Sequence, residues 1–508
     1  MYPSIEEVIR LSADRKIKRI PLCREVFSDR YTPVEMIRVL RGVSNRVFVL
    51  ESADQNENRG RYTFLGFDPC LEVVCRNGEV TVSKVAGKDK ETVESVHEGH
   101  PGNVMRNLLE EYRSPDIEGM PPFTGGFVGY FSYDYIRYAE PKLNLSDCTD
   151  DDPSDMDMML FDKVIVFDNY RQKLYLIAGI DVGSIEEVDG IRTEADIKRV
   201  YHDATLEIEA MCEIVKSDKK FEFEPLSLVT DLKPEMTAEE YGRCVEKAKH
   251  YIREGDIFQV VLSNAIRATA KGSLFDTYRV LRSTNPSPYM FYIGGEDIEI
   301  AGASPETLVS LKHGLVNTFP LAGTRPRGTT PQEDKSLEEE LLADEKERAE
   351  HNMLVDLGRN DIGKISEIGS VEVARYMDIV RFSHVMHIGS TVNGKIRADR
   401  DCMDAVDAIL PAGTLSGAPK IRACEIIDEL EASRRGLYGG AVGYVDLTGN
   451  LDICIAIRLA FMKKGNLCIR SGAGIVSDSV PEREAEECLN KAGAVINAVK
   501  MAEGDIDK

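Results

Sequence analysis

Strand-type and helix-type stretches alternate along this 508-residue chain without the strand–helix–strand rhythm that builds a parallel, doubly wound sheet. Where strands follow one another directly, hairpin signals join them. LEVVC (71–75) and EVTV (79–82) flank Arg76-Asn77-Gly78, and Asn-Gly supplies the positive φ angles of a tight two-residue turn. RVFVLE (46–51) and RYTFLGF (61–67) read as strands, and MLFDKVIVFD (159–168) with KLYLIAGI (173–180) reads as a second hairpin. The polar, acidic run SDCTDDDPSDMD (146–157) reads as a surface loop. Helical patterning covers 193–216, a charged stretch near 334–357 and a last segment from about Pro481; Thr237 to Glu240 forms a capping box for a helix ending near Gly255. The expectation is an α+β fold with large, mainly antiparallel sheets. Residues 217–236 form a connector between an N-terminal region (1–216) and a C-terminal region (237–500). No repeat with a period of ~20–50 residues is present.

Charge narrows the partners. Lys and Arg number 63 against 87 Asp and Glu, a net charge of −24. Such a surface repels phosphate backbones and anionic lipid, which argues against nucleic acid and membrane. No apolar stretch approaches the ~20 residues of a membrane helix. The N-terminus lacks a signal pattern. The eleven cysteines are scattered without a CxxC pair, as expected of reduced thiols in a cytoplasmic protein.

Several motifs fail on inspection. GAG (472–474) lacks the third glycine of a dinucleotide fingerprint, Gly417 in AGTLSGAPK (412–420) precedes Ala-Pro where a P-loop needs Lys-Ser/Thr, and HEGH (97–100) is not HExxH. Two carboxylate pairs remain. Glu347 and Glu350 share a helix face at i, i+3, and Glu484 and Glu487 repeat the spacing. Four such oxygen donors suit Mg²⁺, with water and substrate completing the shell. In so acidic a chain, such pairs also arise on solvated faces. Gly323, Gly413, Gly417, Gly439, Gly440, Gly472 and Gly474 allow a ligand to approach backbone N–H groups closely; equally, they suit tight turns. The residues alone describe a metal-assisted enzyme for a small carboxylate, with ordinary turns and solvated faces as the alternative.

The ordered set GDIFQVVLS (255–263), NPSPYMFY (285–292), SPETLV (304–309), PLAGTRPRG (320–328), DEKERAEHNMLVDLGRND (344–361), VMHIGS (385–390), GTLSGAPK (413–420), RRGLYGGAVGY (434–444), LDICIAIR (451–458) and SGAGIVSDSVPEREAEECLNKA (471–492) closely resembles the chorismate-binding enzymes. VLES (49–52) and RYTFLG (61–66) extend the resemblance over roughly residues 20–500. It implies two large, orthogonally packed antiparallel sheets flanked by helices, built from both regions. It implies that Glu347, Glu350, Glu484 and Glu487 hold Mg²⁺, which clamps the ring carboxylate of chorismate beside the Gly472–Ala473–Gly474 backbone, with Lys491 balancing the acidic site. Tyr438 and Arg458 match the residues for the enolpyruvyl carboxylate, for which an arginine fork is suited. Gly323, Thr324 and Thr414 match the pocket wall, Glu306 the general acid and His387 a histidine assisting elimination. Read without the family, the last two are a solvated glutamate and a structural histidine.

Two positions distinguish members of the family. Water-using members carry a lysine base where this chain has Gln259, and glutamine cannot take a proton from water. Members that aminate C4 typically carry lysine where this chain has Ala322. The resemblance is therefore to the anthranilate synthases, which add ammonia at C2. A tryptophan-sensing relative without activity is the alternative of another class, disfavoured by the retained Glu306, His387 and carboxylates. A feedback site for tryptophan is implied by Glu51, Ser52, Asn285, Pro286, Ser287, Pro288, Tyr289, Met290, Phe291, Val442 and Tyr444; Val49 replaces the family's usual leucine. No glutaminase module is recognisable, which implies ammonia from a separate glutamine amidotransferase subunit and a hetero-oligomer.

Overall fold

The Asn-Gly hairpin forms as its sequence requires. Asn77 and Gly78 adopt φ of 52° and 81°, and the flanking strands Leu71–Arg76 and Glu79–Ala86 pair antiparallel. The computed structural model describes all residues except 54–59, 88, 187–191, 383–384, 505 and 507–508. Among these, the strands form two antiparallel sheets of 13 and 12 strands, with helices around them, so the fold is α+β with the large sheets expected.

Both sheets run across the boundary between the N- and C-terminal regions. In the larger sheet, Val47–Glu51 pairs with Tyr289–Gly294. In the smaller, Gly126–Phe131 pairs with Ala441–Asp446. Each region thus completes the other's ladders, and their inner faces share cores. One core joins Phe48, Phe123 and Phe161 to Phe291 and Tyr444. The Phe48 and Phe161 rings meet edge-on at 4.7 Å, and the Phe123 and Tyr444 rings lie 4.6 Å apart. Such pairs contribute roughly 0.5–1.5 kcal/mol each beyond the area they bury. The packing leaves no room at Gly66, where a Cβ would stand 2.2 Å from Cε1 of Phe48. The fully buried Arg46 ties the layers together through Glu72 at 3.2 Å and through Glu296.

Three local expectations are corrected. The run 146–157 is not a surface loop throughout: Pro153, Ser154 and Asp155 are buried, and Met156 and Asp157 open a strand. The run 159–168 is not one strand: Met156–Phe161 belongs to the smaller sheet and Lys163–Asp168 to the larger, with Asp162 as the crossover. The Asp162-Lys163 interruption alone does not reveal that the apolar stretches on either side of it join different layers. The charged stretch near 334–357 is two helices, Pro331–Ala343 and Glu345–Gly363. Asp344 breaks it by accepting from the backbone N–H groups of Lys346 and Glu347, capping a new helix. Elsewhere the segments stand where their patterns put them. The capping box of Thr237 opens helix Ala238–Glu254, which closes on Gly255 at φ 85°, and Pro481–Met501 is the last helix. The connector 217–236 carries two short strand pairings against Gln259–Lys271.

Candidate active site

The chain changes sheets at Pro305–Glu306 and again at Ala456–Arg458. Strand Ile298–Ser304 lies in the larger sheet and Thr307–Lys312 in the smaller; Leu451–Ile455 and Leu459–Lys463 make the reverse passage. A backbone leaving its ladder must find new partners. Here the two crossings supply each other: the Ile455 N–H donates to the Glu306 carbonyl at 3.0 Å, and the Ala303 N–H to that of Arg458 at 3.1 Å. Arg458 accepts a positive φ of 51° to make the turn.

The crossings bring Glu306 and Arg458 together. Glu306 keeps partial exposure as a residue, yet its carboxyl lies deep, and burial pushes it up to about 8. A hydrogen bond from Thr414 Oγ1 to Oε1 at 3.3 Å and the charge of Arg458 pull the other way. Glu306, Thr414 and Asp361 line a small cavity of about 40 Å³. Arg458 also lines a larger cleft of about 540 Å³ with Thr324, Glu487 and Lys491.

His387, on strand Val385–Lys395, reaches Gly323 and Thr324. Those two residues sit in a register shift between Ala322 and Arg325 on the neighbouring strand, where Gly323 has φ 65°. Nδ1 lies 2.8 Å from the Gly323 carbonyl oxygen and 3.1 Å from Thr324 Oγ1. A carbonyl only accepts, so Nδ1 carries the proton and Nε2 keeps its lone pair. Burial lowers the imidazole below its ordinary range, with Gly323 opposing and Arg458 adding to the effect, so the ring is neutral near pH 7.

Glycines 472 and 474 lie on strand Asn466–Ile475, opposite Ser263 and Val261. A Cβ on Gly472 would stand 2.5 Å from the Leu262 carbonyl oxygen and 3.0 Å from Tyr438 Oη; one on Gly474 would stand 2.9 Å from Gln259 Nε2. Gln259 is 6% exposed, and its Oε1 has no hydrogen-bond partner among the described residues. A buried acceptor of this kind stays unpaired at a cost unless something donates to it.

The helices Glu345–Gly363 and Pro481–Met501 carry the carboxylate pairs. Burial raises Glu350, with Glu347 and Glu487 adding and Lys346 and Lys491 opposing. Burial likewise raises Glu484, and Glu487 adds to it. Glu350 thus feels the charges of Glu347 and Glu487, and Glu484 that of Glu487, which puts the two pairs within electrostatic reach of each other. Glu347 accepts from Arg325 at 3.4 Å, and Glu487 pairs with Lys491 at 2.8 Å. Among the described residues, no three His, Cys, Asp or Glu side chains are already gathered as a metal cluster. Mutual repulsion among part-buried Glu347, Glu350 and Glu484 and the exposed Glu487 is what a hard cation would relieve, and the donors are all oxygen, so Mg²⁺ fits them.

The expected regulatory stretch is divided by the structure. Asn285, Pro286 and Ser287 line the cleft of Arg458 and Glu487. Pro288, Tyr289, Met290 and Phe291 line a separate cavity of about 870 Å³ with Glu51, Ser52, Val442 and Tyr444. Glu51 there accepts from Arg282 Nε at 2.6 Å and from the Tyr278 hydroxyl. Motif reading passed over Glu431 and Arg435, although RR (434–435) lies inside a matched stretch; both are buried beneath Tyr438 and the 412–416 loop.

A sequence profile of the chorismate binding enzymes matches residues 45–497. The chain belongs to that family. This chorismate-binding enzyme is 44% identical to anthranilate synthase component 1 of Acetivibrio thermocellus and 42% identical to that of Pseudomonas aeruginosa, each over 99% of both chains. The crystal structure of anthranilate synthase component I from Streptococcus pneumoniae superposes with a TM-score of 0.73 at 34% identity, covering 93% of this chain and 99% of that one. The menaquinone-specific isochorismate synthase of Escherichia coli shares the fold at 17% identity and a TM-score of 0.68, covering 97% and 98% of the two chains. All eleven cysteines are free, and among the described residues no helix is long and apolar enough to cross a membrane.

Proposed function

We propose that the chain aminates chorismate at C2 and releases pyruvate to give anthranilate, as the large subunit of a cytoplasmic anthranilate synthase. The observation that carries this reading is the Glu306 carboxyl, held at about 8 beside Arg458 and Thr414. At neutral pH it keeps a proton to give, as a general acid requires.

Arg458 binds the enolpyruvyl carboxylate with its fork, and Tyr438 and the Gly472–Gly474 backbone shape the seat of the ring. Mg²⁺, held by Glu347, Glu350, Glu484 and Glu487, would offset the charge of the ring carboxylate. Ammonia needs no base to become a nucleophile, and the Gln259 amide oxygen accepts one of its N–H groups without removing a proton. As the C2–N bond forms, the ring double bonds shift, and the C4 hydroxyl leaves as water with the proton of Glu306. The C2 proton then leaves, the C3–O bond breaks, and the enolpyruvyl group takes a proton and departs as pyruvate. The neutral Nε2 of His387 is available to move a proton in this second step.

Ammonia is supplied by a separate glutamine amidotransferase subunit. Tryptophan inhibits from the 870 Å³ cavity, where Glu51 offers a carboxylate for its ammonium and Pro288, Met290, Phe291 and Tyr444 surround its indole. In the test, the purified chain is incubated with chorismate, Mg²⁺ and ammonium, and the products are identified by fluorescence and mass. Anthranilate with pyruvate, lost on chelation, is the expected result; an isochorismate, salicylate or para-amino product, or no turnover, overturns the reading.

A further inference from the structure

Glu431 and Arg435 form a charge pair that the mechanism does not use, and their side chains are only 3% and 2% exposed. Arg435 Nε and Nη2 both donate to the Glu431 carboxylate, at 3.0–3.1 and 2.5 Å. The rest of the fork is spent on main chain. Nη1 donates to the Leu415 carbonyl at 2.5 Å and Nη2 to that of Val261 at 2.6 Å. Between those carbonyls, the Val261 N–H donates to Ser416 at 2.9 Å. Glu431 in turn accepts from the Ser263 N–H at 2.7 Å and hydroxyl at 2.9 Å, and from Arg470 at 3.3 Å. Leu415 directly follows Thr414, which among the described residues is the one that donates to the Glu306 carboxyl. The pairing of Gly417–Ala418 with Gln259–Val260 and the Val261 N–H hold the end of this loop, but residues 412–415 lie outside every ladder, and the Arg435 fork is what reaches the Leu415 carbonyl beside Thr414.

A buried ion pair is expensive to desolvate, and an apolar pair of the same volume would serve stability as well or better. A planar fork that grips two carbonyls while its charge is met by one carboxylate fixes geometry in a way an apolar pair cannot. We propose that Arg435, held by Glu431, is a positioning residue for the reaction: it pins the 412–416 loop to strand Gln259–Lys271 and so sets the hydrogen bond from Thr414 to Glu306.

The proposal rests on the reading of Glu306 as the acid, and the experiment separates the two. The variants are Arg435→Lys, which keeps the charge but loses the fork, Thr414→Ala and their combination. The readout is the pH profile of kcat at saturating ammonia, with KM for chorismate. The groups facing Glu306 are Arg458 and, across the small cavity, Asp361; neither is altered. Thr414 stabilises the ionised carboxylate, so its loss moves the falling limb to higher pH by about 0.5–1 on the pH scale. Arg435→Lys is expected to move the limb the same way and to lower kcat by about 10–100-fold with KM changed less than about threefold. The double variant should shift the limb no further than either single one. An unmoved limb in Arg435→Lys, or shifts that add in the double variant, overturns the proposal. A wild-type profile with no falling limb, or one that survives in Glu306→Gln, overturns the reading of Glu306 instead. Should Arg435→Lys not fold, Glu431→Gln, which keeps the shape and one acceptor oxygen, carries the same expectations at smaller size.

Discussion

The cleft around Arg458 and the cavity around Glu51 share one segment of chain, 285–291, yet they are built in opposite ways. The cleft forms where ladders break. Arg458 sits at a sheet crossing and Thr324 in a register shift, while Glu306, at the partner crossing, and Thr414, in a loop, line the small cavity. Positive φ at Arg458 and Gly323 is part of that construction. The cavity takes its central wall from ladders that continue: Glu51 and Leu50 lie opposite Met290 and Phe291, and Val442, Gly443 and Tyr444 lie on the strand paired with Gly126–Phe131, while residues 115–122 close the side. Broken ladders turn polar side chains inward and leave them to be paired by one another, which suits chemistry. Continuous ladders joining two regions make a pocket whose shape follows how those regions sit together, which suits a sensor. The sequence segment 285–291 serves both, its first residues facing the cleft and its last the cavity.

The contrast is tested hardest in the cleft. Glu306→Gln keeps the shape and the bond from Thr414 but has no proton to give. A loss of about 10²–10⁴-fold in kcat is expected. With Glu306 as the proposed acid, the protonated form is the active one, so kcat at saturating ammonia is expected to be full below the pKa and to fall as pH rises through about 8. Glu306→Gln should lose that limb, and a variant retaining both rate and limb would remove the acid from the mechanism. Glu487→Gln comes next. It removes one of the four carboxylates, and the Mg²⁺ concentration for half-maximal rate should rise by about tenfold or more, with the circular dichroism spectrum unchanged. An unaltered Mg²⁺ dependence would detach these carboxylates from metal.

In the cavity the expected effects are smaller and of another kind. Ser52→Phe fills space beside Glu51, and tryptophan should bind about tenfold more weakly by calorimetry, consistent with ~1.4 kcal/mol. The uninhibited rate should stay within about twofold. Unchanged tryptophan binding would place the sensor elsewhere.

Much of this was legible because local signals and tertiary structure agree. The Asn-Gly hairpin, the Thr237 capping box and the helix from Pro481 are set by residues within a few positions of one another. The carboxylate pairs were visible as i, i+3 spacings, and the antiparallel α+β class followed from the irregular alternation. The sheet crossings were not legible. Phe161-Asp162-Lys163 and Ser304-Pro305-Glu306 look like strand interiors or turns, and what makes them crossings is the partner strand far along the chain. The same holds for Arg435, whose role is written in the carbonyls of Leu415 and Val261 and not in its own neighbours. Residue roles at the site came from resemblance; spacing alone left Glu306 and His387 indistinguishable from a solvated glutamate and a structural histidine.

The smallest expected effect probes the wall between the two regions. The Tyr289 hydroxyl faces the cavity and bridges Thr307 Oγ1 at 2.9 Å and Asp452 Oδ1 at 2.8 Å. Thr307 is the neighbour of Glu306 and lines both the Glu51 cavity and the small cavity of Glu306. Tyr289→Phe removes the bridge without changing the ring. Asp452 keeps the Lys312 ammonium at 3.0 Å, so the part-buried carboxylate is not left alone. The expected cost is about 0.5–1.5 kcal/mol of stability, read from denaturant unfolding. If continuous ladders alone hold the Glu306 crossing, kcat without tryptophan stays within about threefold and the pH limb does not move. A fall of tenfold or more would mean that the hydroxyl bridge, not the ladder, holds the acid in place; cavity and cleft would then be one mechanical unit, because anything displacing Tyr289 would displace Glu306 with it.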